Sequence, residues 1–133
     1  MEDQRRGLYS ATKSFTSIAV GIALGEGLFR LTDRVVDLFP DELPEQVGEN
    51  LKNMQLVHLL TMTCGLDKPM LLGTETRPLL RKSEPDWVRY LLRQEVANEP
   101  GSSFLYTDYG PYLLGHLIER KSGMGLIDWL MPR

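Results

Sequence analysis

Ser10 and Lys13 form the one S-x-x-K in the chain, and the two residue types suit nucleophilic chemistry. Residues i and i+3 share one face of a helix, so a helical segment here sets the Lys13 amine beside the Ser10 hydroxyl. A serine alone is a weak nucleophile. An adjacent amine, its pKa lowered by burial or a second cation, takes the hydroxyl proton, and the unpaired amides of a helix N-terminus stabilise the oxyanion formed on attack. The same residues, Ser10-Ala11-Thr12-Lys13, also read as an ordinary helix cap followed by a solvated lysine, and the spacing leaves both readings open.

The remaining chemistry-bearing residues point elsewhere. His58 and His116 stand far apart and neither lies in an H-E-x-x-H pattern, so both are expected to be packed or solvated rather than metal-ligating. Cys64 is the single cysteine, which excludes an internal disulfide and a C-x-x-C site. A small buried residue before Gly65 is the expected role, with a reactive thiol the lesser option. No metal or organic cofactor is expected. Trp87, Tyr90 and Trp129 read as helix-packing aromatics, and Met62, Met70, Met124 and Met131 as gap fillers.

The elements that position Ser10 and Lys13 follow from composition and periodicity. A chain of 133 residues with 42% hydrophobic and 25% charged residues is expected to form one globular unit over residues 1–133. Lys+Arg 15 against Asp+Glu 18 gives a net charge of −3, and no basic stripe with interleaved aromatics suggests nucleic-acid binding. The charged N-terminus is followed by no apolar h-region, so no signal peptide is expected, and the compartment leans cytoplasmic. The apolar stretch 15–29 is too short to span a bilayer and reads as a buried helix. Because Ile18, Ala19, Val20, Ile22, Ala23 and Leu24 surround most of its sides, it is expected to be a central helix covered on more than one face. Gly21 and Gly25 are expected to admit the close approach of another element.

Gly25-Glu26-Gly27 supplies a stop, and Thr32 is the expected cap of a short helix through Val35, Val36, Leu38 and Phe39, ended by Pro40. Residues 40–53 are acidic and turn-rich. Residues 56–62 suit a short helix closed by Gly65 as a left-handed cap. Residues 68–82 read as an irregular connection. Ser83-Glu84-Pro85-Asp86 then opens an amphipathic helix carrying Trp87, Val88, Leu91 and Leu92. After a turn around Pro100-Gly101, Asp108 and Pro111 open a helix with Leu113, Leu114, Leu117 and Ile118, ended by Ser122-Gly123. A last helical turn covers 126–131. No period-2 run argues for a sheet, and the chain is expected to be mainly α.

Three blocks downstream of Ser10 occur in a familiar order: residues 28–40 with Leu31-Thr32-Asp33 and Asp37-Leu38-Phe39-Pro40, residues 59–66, and residues 100–108 running into Tyr112-Leu113-Leu114-Gly115. With the S-x-x-K start, the chain resembles the serine β-lactamase and penicillin-binding protein superfamily. The likeness is to the branch holding class C β-lactamases, D-alanyl-D-alanine carboxypeptidases and esterases. The resemblance covers residues from about Tyr9 to Leu130. It implies the helical portion of a β-lactamase/transpeptidase-like α/β fold, a fragment with most of the flanking sheet absent. The family's K-T-G or H-x-G strand, which contributes one oxyanion amide and a substrate-binding edge, is not among these residues.

Carried over by residue, the resemblance makes Ser10 the acylated nucleophile, Lys13 its activating partner and Tyr106, on the tyrosine of the Y-x-N motif, the proton shuttle. Without the resemblance, Tyr106 reads as a buried aromatic anchoring the Pro100-Gly101 turn. Asp108 stands on the asparagine of Y-x-N as a substrate-binding candidate, but an ionised carboxylate cannot donate a hydrogen bond as an amide does, and a helix cap is its alternative role. The implied function is acyl-enzyme hydrolysis of an amide or ester, the partner being a β-lactam, a D-alanyl peptide or a small ester. The alternative is a catalytically inert relative acting as a helical interaction module. It would self-associate or bind a complementing chain through the apolar surface that a sheet would otherwise cover.

Overall fold

The computed structural model describes residues 7–70 and 86–133. Among these the secondary structure is helical, with no strand and one isolated antiparallel bridge between Arg34 and Gln55. The expectation of a mainly helical chain is met.

A 3-10 turn, Tyr9–Ala11, leads into α1, Thr12–Gly25. Only Thr16, Ala19, Val20 and Ala23 of α1 are buried, a single stripe at helical spacing made of small side chains. Phe15 and Ile18 are 51% and 57% exposed, and a Cβ placed on Gly21 or Gly25 meets nothing within 4 Å. The reading of α1 as a central helix with close approach at its glycines is therefore corrected: among the described residues it packs by one face. Its end follows the expected signal. Gly27 takes φ 74°, the Leu28 amide donates to Ala23 at 3.0 Å and the Gly27 amide to Leu24 at 3.1 Å, which closes the helix in a Schellman arrangement.

The bridge pins the next helices. The Val35 amide donates to Met54 and the Leu56 amide to Asp33, both at 2.9 Å, which sets α2 (Val35–Leu38) beside α3 (Glu49–Asn53) and α4 (Leu56–Leu60). The cap position of α2 is Arg34 in extended conformation, not Thr32. Helix α3 lies inside the stretch read as turns; at five residues it is too short to show a period. Gln55 and His58 form a reciprocal capping box on α4.

After α4 the left-handed turn falls on Met62 (φ 56°), and Gly65 (φ 95°) serves a different end. A Cβ on Gly65 would stand 2.2 Å from the Asn98 carbonyl oxygen, so glycine is required there for close passage of two backbones. The two segments are laced together: the Asn98 amide donates to Gly65 at 2.9 Å, Gly101 to Thr63 at 2.8 Å and Leu105 to Met62 at 3.0 Å. This lacing carries the chain from Pro100 towards Tyr106.

Helix α5 is Trp87–Leu92, its first turn capped by the Asp86 carboxylate, which accepts the Arg89 amide at 3.1 Å. The predicted start at Ser83-Glu84-Pro85 lies outside the described residues, as does most of the 68–82 connection. Trp87 packs edge-on to Tyr90 at 5.9 Å and beside Tyr112 at 6.2 Å, as the packing role of these aromatics requires.

The central helix is α6, Tyr109–Ser122, which buries Tyr109, Gly110, Leu113, Leu114, Leu117 and Ile118 and touches α1, α4, α5 and the last helix, α7 (Leu126–Leu130). Each large aliphatic side chain buried here contributes about 1.5–3 kcal/mol. Gly123 at φ 73° ends α6 as predicted. Arg120 at its last turn forms a bidentate pair with the buried carboxylate of Glu42 and lies over the Phe39 ring, fastening α6 to the Pro40–Glu42 turn.

Candidate active site

Ser10, Lys13, Tyr106 and Asp108 converge where the start of α1 meets the start of α6. Tyr9, at φ 49°, occupies the left-handed region that a bulky residue seldom adopts, at a cost of about 1–3 kcal/mol. The Thr12 hydroxyl donates to the Tyr9 carbonyl at 2.7 Å and holds this turn. Ser10 is thereby exposed at the mouth of α1, and Lys13, one helical turn on, donates from Nζ to its Oγ at 3.3 Å. The i, i+3 relationship read from the sequence is present. Lys13 is not the solvated lysine of the alternative reading, since its side chain is only 20% exposed.

The segment before α6 supplies the other two groups. Thr107 is buried, and its Oγ1 accepts from the Met70 and Tyr109 amides, both at 3.2 Å, while the Asp108 amide donates to the Met70 carbonyl at 2.9 Å. With residue 107 anchored inward, its neighbours Tyr106 and Asp108 are turned toward α1. Thr107 is the residue that sequence reasoning missed; the signal for it was a β-branched hydroxyl placed between the two polar members of the motif. The Tyr106 ring is 42% exposed, so it is not the buried anchor of the Pro100-Gly101 turn. It lies over Lys13, whose Nζ is 5.1 Å from the ring centre, and its hydroxyl interacts with Ser10 and Lys13. Asp108 occupies the N-cap position of α6 but makes no side-chain capping bond. Its Oδ1 instead lies 2.7 Å from Lys13 Nζ. The helix-cap role expected for Asp108 is corrected: Thr107 receives the Tyr109 amide, and the Asp108 carboxylate serves the lysine.

The electrostatics follow. Burial disfavours the Lys13 ammonium, but hydrogen bonds to Asp108 and Tyr106 and the charge of the former outweigh it and raise its pKa above the ordinary lysine value. Tyr106 is pulled the other way: its bonds to Ser10 and then to Lys13 lower its pKa, only partly opposed by burial and by the Asp108 charge. Once the acidified phenol has lost its proton, the phenolate is an acceptor for the hydroxyl proton, and the Lys13 ammonium beside it balances its charge.

Cys64 is not of this group. It is buried, its thiol donates to the His58 carbonyl at 3.4 Å, and burial pushes its pKa up to about 12, the opposite of a reactive thiolate. His58 is engaged in the α4 capping box, and His116 faces Glu119 at 3.6 Å. Among the described residues no cluster of His, Cys, Asp and Glu could hold a metal ion.

Comparison with known proteins agrees with this architecture. The chain is 29% identical over 126 residues to a β-lactamase of Escherichia coli (strain K12), an alignment that takes in 95% of this chain and 31% of the relative. Its fold is similar to the crystal structure of a family VIII carboxylesterase, with a TM-score of 0.62 and 25% sequence identity over 91% of this chain and 32% of that one. The chain thus spans about a third of the length of each, and it corresponds to a helical region of that fold. The beta-lactamase family model matches residues 2–131, a span that takes in the Ser10 turn, the lacing loop, α6 and α7, and the chain therefore belongs to the beta-lactamase family.

Proposed function

We propose that the chain carries the nucleophile side of a serine hydrolase that cleaves an ester or amide through an acyl-enzyme. The observation that supports this is the Ser10 Oγ held 3.3 Å from Lys13 Nζ, an ammonium that lies 5.1 Å from the centre of the Tyr106 ring. Ser10 Oγ attacks the carbonyl carbon and gives its proton to Tyr106 in its phenolate form, whose charge the neighbouring Lys13 ammonium balances. The same pair returns a proton to the leaving alcohol or amine as the acyl bond breaks, and water then repeats the sequence to release the acid. A small ester, a β-lactam and a D-alanyl peptide all undergo this reaction. Both relatives belong to serine hydrolase groups, and the carboxylesterase and the β-lactamase support ester and β-lactam chemistry respectively.

The test is intact-mass spectrometry of the folded chain after exposure to a fluorophosphonate and, separately, to a penicillin, with Ser10→Ala alongside. The expected result is a single adduct that disappears in Ser10→Ala. Folded protein that takes no adduct from either reagent overturns the proposal.

The exposed Phe15 and Ile18 favour a second reading, a helical module that binds a second copy or a complementing chain through this face of α1. Light scattering that returns a clean dilute monomer, with no binding of a hydrophobic dye, removes it.

A further inference from the structure

We propose that Asp108 determines which acyl donors the site accepts: by neutralising Lys13 beside the nucleophile, it selects uncharged esters over acyl donors that carry a carboxylate near the reacting carbonyl. The inference rests on Ser10 being the nucleophile, as proposed above.

Three observations support it. The first is the pairing itself, with Oδ1 2.7 Å from an ammonium that is in turn 3.3 Å from Ser10 Oγ. The second is that local folding does not account for this placement of the carboxylate. Asp108 stands at the N-cap of a 14-residue helix, where aspartate ordinarily accepts the amide of N2 or N3, yet it makes no such bond, and the helix start is held by Thr107, which accepts the N1 amide of Tyr109. The third is rigidity and shielding. The Asp108 backbone is tied to Met70 and its neighbour Thr107 is buried, while the side chains of Lys13 and Asp108 are only 20% and 21% exposed. Their charges act on one another and on a bound molecule through a medium less polar than water.

The charge balance follows. Lys13 faces Ser10 from the 3-10 turn before α1, Tyr106 from the segment before α6 and Asp108 from the start of α6. With the phenol protonated, these four side chains carry no net charge. An asparagine at position 108 would leave one positive charge beside the nucleophile, available to attract a carboxylate on the acyl donor. With aspartate, that attraction is already compensated, and an incoming carboxylate also meets the Asp108 charge. A neutral ester carries no charge to feel the difference, so any change in Lys13 itself acts on both kinds of donor and the ratio between them isolates the charge effect.

Two p-nitrophenyl esters matched in length test this: the butyrate, whose acyl group is uncharged, and the hemisuccinate, whose acyl group ends in a carboxylate. The readout is the rate of Ser10 acylation in the full chain, followed by adduct mass and nitrophenolate release. The wild-type chain is expected to favour the butyrate, and Asp108→Asn to shrink the butyrate-to-hemisuccinate ratio about fivefold to tenfold, the effect of one unit charge across ~7 Å at an effective dielectric of ~40. Asp108→Glu restores the negative charge and is expected to return most of the preference. In the wild-type chain, raising salt to about 1 M narrows the ratio by screening, which keeps the test open if a variant fails to fold. A ratio unchanged in Asp108→Asn and unmoved by salt, with Ser10 still acylated, overturns the role of Asp108 alone. Folded wild-type protein acylated by neither ester overturns the nucleophile assignment, and this proposal with it.

Discussion

The carbonyl oxygen of Leu59 lies 2.4 Å from where a Cβ on Gly110 would stand, so α4 and α6 meet backbone against backbone. Gly110 is the second residue of the helix whose N-cap is Asp108. Gly110→Ala forces the two helices apart at the point that sets the Asp108–Lys13 contact, and it is expected to lower stability by about 1–3 kcal/mol, in the range of core overpacking. Gly21→Ala, in a helix position where a Cβ meets nothing, is expected to raise stability by up to about 1 kcal/mol. Urea unfolding midpoints of the two variants should move in opposite directions.

Glu42 is buried, and both terminal nitrogens of Arg120 reach its carboxylate. Arg120→Met leaves that carboxylate without a cation and is expected to cost about 2–4 kcal/mol. Glu42→Met leaves a guanidinium that is 37% exposed and can turn to water, so a smaller loss is expected. Replacing both with methionine should recover much of the larger loss. A double-mutant cycle with additive losses would show that the pair does not act as one unit.

Helix ends were legible in the sequence because they depend on local chemistry. Gly27 and Gly123 adopt the left-handed conformation that the stop signals imply, whereas the cap of α5 is Asp86, a residue that the sequence placed in the first turn. Which helix lies at the centre was not legible. Helix α1 is the more apolar by sequence, but α6 has Gly110 at its first turn and a wider buried stripe, and centrality depends on how many neighbours a helix has rather than on its own hydrophobicity. The left-handed turn after α4 falls on Met62 because Gly65 is needed where the Asn98 backbone passes. In the site, the Ser10–Lys13 proximity is a property of helical spacing and could be read in advance. The partner of the Asp108 carboxylate could not, since aspartate suits a cap and an ion pair equally and the choice is made by the inward anchoring of Thr107 and the arrival of α1.

The hydroxyl of Tyr106 is the part of that residue that the proposed mechanism uses; the ring is half exposed and belongs to no core cluster. Tyr106→Phe is therefore expected to change stability by less than about 0.5 kcal/mol. If the hydroxyl moves the Ser10 proton, acylation by a neutral ester slows about a hundredfold to a thousandfold. The time course of the Ser10 adduct mass measures this, and an unchanged rate in the phenylalanine variant would remove Tyr106 from the proton path.

His58 ties stability to acid. Its Nδ1 accepts the Gln55 amide at 2.9 Å, a bond that requires the neutral ring, and burial lowers its pKa below the ordinary 6.5. Between the folded and unfolded pKa values the unfolded chain binds the extra proton, so acidification favours unfolding. The contribution is present in full above 6.5 and is lost as pH falls through the lower, folded value. Unfolding midpoints are expected to stay level from about pH 8 to pH 7 and to decline below about pH 6.5. His58→Gln keeps an acceptor at the third position of α4 without a titrating ring, and it should flatten that decline until carboxylates begin to protonate near pH ~4. An identical slope in the two proteins would mean that another group carries the acid sensitivity and that the capping bond survives protonation of its acceptor.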